Sequence, residues 1–71
     1  MQASGLAQLS ELARLFARVQ LFGLARLMTD HRQFEAARDL WTSYLGLEPP
    51  PKRAGLATKY ATLCRLELAS K

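Results

Sequence analysis

A chain of 71 residues has room for one small domain, here taken as residues 1–71, and for a modest core. Its composition, 49% hydrophobic and 23% charged with a net charge of +4, is that of a folded chain and excludes intrinsic disorder. A single cysteine, Cys64, excludes an internal disulfide, and a single histidine, His31, excludes a Cys/His metal cluster.

Three helices are expected in chain order, giving an all-α fold. Residues 4–29 hold no proline and are rich in Leu, Ala, Arg, Gln and Glu, which favour helix. Ser4 is the expected N-cap. Leu9, Leu12, Phe16, Val19, Gly23 and Leu27 recur at spacings of three and four, so they share a face. Glu11, Arg14 and Arg18 fall on the opposite side, and Leu15, Leu21 and Phe22 form a second apolar edge. At 1.5 Å per residue this helix is about 39 Å long.

Thr29 and Asp30 read as a turn and cap before a second helix over 31–45, packed antiparallel on the first. Its apolar face is Phe34, Ala37 and Trp41, flanked by Leu40, Tyr44 and Leu45. Gly46 fits the left-handed position that follows a helix C-terminus. Pro49-Pro50-Pro51 then stops the helix and stiffens the connector. A third helix starts at Pro51 or Lys52 and runs to Ala69, with Leu56, Ala57, Tyr60, Leu63, Cys64 and Leu68 on its apolar face.

The helices are unequal. A second helix folding back covers only the C-terminal half of the first. Leu6, Leu9, Leu12 and Phe16 then lack cover unless the third helix reaches them. Burying each such side chain is worth roughly 1.5–3 kcal/mol, and a helix apolar on more than one side is usually enclosed by several neighbours. Leu9, Leu12, Leu15, Phe16 and Val19 are therefore the candidate protein-binding residues. Their partner is another chain or a second copy of this one, since a small chain with neither disulfide nor metal gains stability by assembly.

Residues 21–49 resemble a tetratricopeptide repeat, the helical hairpin with the pattern W-x2-L-G-x2-Y, then A-x3-F, then P. The corresponding residues are Leu21-x2-Leu24-Ala25-x2-Met28, then Ala37-x3-Trp41, then Pro49. Leu21 and Met28 replace aromatics, and Tyr44 stands where the repeat carries a small residue. The resemblance implies a module that cradles peptides or helices and performs no chemistry. Residues 52–69 would then serve as a capping helix.

Other side chains read as structural. His31 is an exposed turn residue without companions for a site. Cys64 is a small core hydrophobe. Trp41, Tyr44 and Phe34 suit a core stripe better than a base-stacking platform. No phosphate loop, nucleophile elbow, zinc motif or paired carboxylate set occurs, so neither an enzyme, a cofactor nor a metal is expected. No apolar run spans a membrane, and residues 1–5 lack signal-peptide features, so a cytoplasmic location is the expectation. The functional expectation is a protein-interaction module: an adaptor, small chaperone or regulator. The alternative is a small basic DNA-binding regulator of transcription. Against it, the cations are scattered, and Glu11, Glu35, Asp39, Glu48 and Glu67 interrupt them.

Overall fold

A computed structural model describes residues 2–70, with side chains from Gln8 to Ser70. It is all-α, with α1 over Gln2–Asp30, α2 over Phe34–Leu45 and α3 over Pro51–Ala69. α1 begins at Gln2, upstream of Ser4, so Ser4 lies inside the helix and is not its N-cap. The side chain of Leu6 lies outside the described set. α2 is the central helix: it packs on both α1 and α3, which meet each other at only a few points.

The connection from α1 to α2 differs from the expected cap. Thr29 and Asp30 still belong to α1, and α2 starts at Phe34 after Gln33. The Gln33 amide donates to the Met28 carbonyl at 2.9 Å and the Arg32 amide to the Thr29 carbonyl at 3.0 Å. This bond pair is the Schellman C-terminus, which needs a left-handed residue at its centre. Arg32 takes that position, with φ 60°.

The end of α2 also departs from expectation. Gly46 keeps a right-handed helical conformation, φ −66° and ψ −15°. The left-handed residue is Glu48, φ 55°, two positions later. Pro49 disfavours the right-handed region at the residue before it, which places the break at Glu48. α3 then starts as expected, with Pro50 as N-cap and Pro51 in the first turn.

The core is built from small residues around aromatics. Ala25 of α1, Ala37 of α2, and Ala57, Ala61 and Cys64 of α3 are buried and let the backbones approach. Trp41 and Tyr44 of α2 fill the space between them. Phe22 meets Trp41 edge-on at 5.3 Å and Tyr44 at 5.4 Å, while Tyr60 stacks on Trp41 at 5.0 Å with an interplanar angle of 8°. Thr29 is buried among them. Its hydroxyl donates to the Ala25 carbonyl at 2.8 Å and accepts the Trp41 indole N–H at 3.0 Å. The Cys64 Sγ lies 3.9 Å from the same oxygen. With the hydroxyl proton committed to Ala25, the thiol is the donor in that contact.

Candidate interaction surface

The hairpin docks on one edge of α1 and leaves the other bare. The docked edge is Leu21, Phe22, Ala25, Met28 and Thr29, spaced three and four apart. On a helix the stripe Leu9, Leu12, Phe16, Val19, Gly23 and Leu27 lies on nearly the opposite side. α2 was expected to cover the C-terminal half of α1; it does so on the Ala25 edge, and Gly23 and Leu27 of the stripe stay exposed. On this edge the small Ala25 is buried in one cluster with Ala37 and Trp41, and the Trp41 N–H donates to the Thr29 hydroxyl.

The candidate residues all face solvent. Leu9, Leu12, Leu15, Phe16 and Val19 each keep between 53% and 66% of their surface exposed. With Ala13 they line one shallow apolar groove along the helix. α3 leaves them exposed and comes near only with its first turn, where Arg53 borders a cavity that Leu15 and Val19 also line. Its links to α1 lie farther along, where the Arg53 guanidinium sits 4.8 Å from the Phe22 ring centroid and Arg26 sits 5.6 Å from that of Tyr60.

A second apolar patch escaped the sequence reading. Leu56, Leu63 and Leu66 of α3 are exposed, and with Lys59, Tyr60 and Thr62 they border a shallow groove. Leu56 and Leu63 were expected in the core. The core face of α3 is instead Ala57, Ala61 and Cys64. The signal was present in the spacing: the small residues at 57, 61 and 64 share one side, and the leucines at 56, 63 and 66 share another.

Among the described residues the remaining side chains show no catalytic chemistry that converges on a point. His31 is exposed in the turn. No group of three His, Cys, Asp or Glu is close enough to hold a metal among the described residues. Trp41 and Tyr44 are core residues, not a stacking surface. The basic residues are dispersed, and several are engaged locally: Arg32 lies over the Phe34 ring at 5.8 Å, and Arg38 pairs with Asp39 at 3.3 Å. No described helix is long and apolar enough to cross a membrane. Comparison of the chain with family models, with curated proteins and with solved structures returns no match.

Proposed function

We propose that the chain is a protein-interaction module that binds another protein chain through the bare face of α1. The observation carrying this reading is the row Leu9, Leu12, Leu15, Phe16 and Val19, large apolar side chains contiguous along one helix and more than half exposed. Contiguous exposed apolar surface of this kind marks interaction sites. An amphipathic helix offering such a row is recognised by laying it against a groove or another helix. The tetratricopeptide resemblance of residues 21–49 supports the same reading. The hairpin acts as the scaffold that holds α1, and α3 closes its open side.

The test is site-specific photo-crosslinking in cells, with the reactive residue at Leu15 on the row and, for comparison, at Glu35 on α2. Discrete protein adducts are expected from position 15 and not from position 35. Adding Leu12→Asp and Phe16→Asp should abolish them while the emission of the buried Trp41 stays unchanged. Equal yields from the two positions, or adducts that survive the double substitution, would assign the interaction elsewhere.

A further inference from the structure

Between α1, the end of α2 and the start of α3 lies a cavity of about 360 Å³, within the size range of small-ligand pockets. Leu15, Val19, Phe22 and Pro50 give it apolar walls, and Arg18, Arg53 and Tyr44 bring polar groups to its lining. We infer that it is a binding site for an apolar carboxylic acid, either a small free acid or the C-terminal residue of a peptide. The site goes beyond the reading of the bare face of α1 and does not rest on it.

The polar groups around this space lack acceptors. Arg18 Nε is buried without a hydrogen-bond partner. Tyr44 is only 1% exposed, and its hydroxyl makes no hydrogen bond among the described residues. Buried polar groups are ordinarily paired, so each calls for an acceptor. The Arg53 guanidinium lies 4.8 Å from the Phe22 ring centroid. Stacking engages its face and leaves its edge N–H groups free to bind. Arg18 is one turn before Phe22 on α1, so the two arginines flank one ring.

The charge there is uncompensated. No acidic side chain lines the cavity; Glu11 and Glu48, the acids nearest in sequence, are not part of it. The one ion pair among the described residues, Arg38 with Asp39, is on α2. The N-terminus of α3 adds to the positive field: Pro50 gives no side-chain cap, and the first turn holds no acid. An anion entering this space relieves the repulsion between the cations.

The walls decide which anion. Inorganic phosphate would lose hydration against carbon surface and gain no packing in return. A carboxylate on an apolar body meets both demands. Its two oxygens match the fork of an arginine, and its body lies against the apolar walls. Gly23 keeps the space open: it lines the cavity, and a Cβ there meets nothing within 4 Å.

The experiment is an NMR titration of the full chain labelled with nitrogen-15, following arginine Nε–H and backbone amide signals. The probe is N-acetylphenylalanine. Saturable shifts of the Arg18 and Arg53 Nε–H signals and of the Gly23 amide are expected, with a Kd on the order of 1 mM or below. Arg18→Gln and Arg53→Gln should each weaken binding about tenfold or more. Gly23→Leu, which fills the cavity and keeps both cations, should abolish binding while Trp41 emission stays unchanged. Leu12→Gln, outside the cavity, should bind like the parent. N-acetylphenylalaninamide, which has the body without the charge, and inorganic phosphate, which has the charge without the body, should give no saturable shift. Binding of either one as tight as that of the acid overturns the site. So does binding that survives Gly23→Leu, or the absence of a saturable shift with N-acetylphenylalanine. The peptide alanyl-alanyl-phenylalanine separates the two sources: tighter binding than the single acid names a chain end, and weaker binding names a free acid, each with the site upheld.

Discussion

Thr29 is the residue on which the three helices converge. Its oxygen accepts the Trp41 indole N–H, and it lies beside Cys64 of α3. Thr29→Val keeps the shape and removes the acceptor, leaving a buried N–H unpaired. A loss of about 1–3 kcal/mol is expected, read by urea unfolding followed through Trp41 emission. Thr29→Ser, which keeps the hydroxyl, should lose much less. Equal stability of the valine variant and the parent would show that the bond contributes nothing net. Arg32 is the counterpart in strain, since φ 60° is unfavourable for a residue with a Cβ. Arg32→Gly should raise stability by about 0.5–1 kcal/mol, unless the cation over the Phe34 ring is worth more than the strain it brings. Neither role was legible locally. Threonine beside aspartate looks like a cap, and only a tryptophan twelve residues on, brought near by the docking of α2, makes it an acceptor.

The existence and type of each helix were legible, because the proline triplet and the spacing of apolar residues fix them without reference to the rest of the chain. The choice of faces was legible only in the residues that carry the tetratricopeptide resemblance, Ala25, Ala37 and Trp41, and not in the periodicity. α1 carries two apolar edges of similar size, and periodicity alone gives no reason for α2 to prefer Leu21, Phe22 and Ala25 over Phe16, Val19 and Gly23. Backbone approach decides it. Ala25 and Ala37 are both fully buried in the core, and the larger side chains of the other edge are left to solvent. Leu9, Leu12, Phe16 and Val19 are therefore uncovered for a stronger reason than the unequal helix lengths: the hairpin sits on the far side of them, whereas Leu15 lies on the docked edge ahead of the hairpin. Gly23 bears on helix stability at this scale. A Cβ there meets nothing within 4 Å, so Gly23→Ala should stabilise α1 by about 0.5–1 kcal/mol, read by urea unfolding. Equal stability of the variant and the parent would show that Gly23 costs α1 nothing.

The whole molecule is a rod, 54 × 20 × 14 Å, with its core gathered at the hairpin. Because the bare face of α1 is apolar, crosslinking from position 15 in lysate should change little between roughly 50 and 200 mM salt. Phosphate-mediated binding to DNA would weaken steeply over the same range. One buried atom allows core opening to be timed apart from these events. Cys64 is the only thiol in the chain and is fully enclosed, on the side of the molecule away from the bare face of α1. A thiol reagent reaches it only when α3 lifts from α2, so its labelling rate is a clock for that opening. Leu12→Asp on the bare face of α1 should leave the clock unchanged, whereas Thr29→Val should make it run faster.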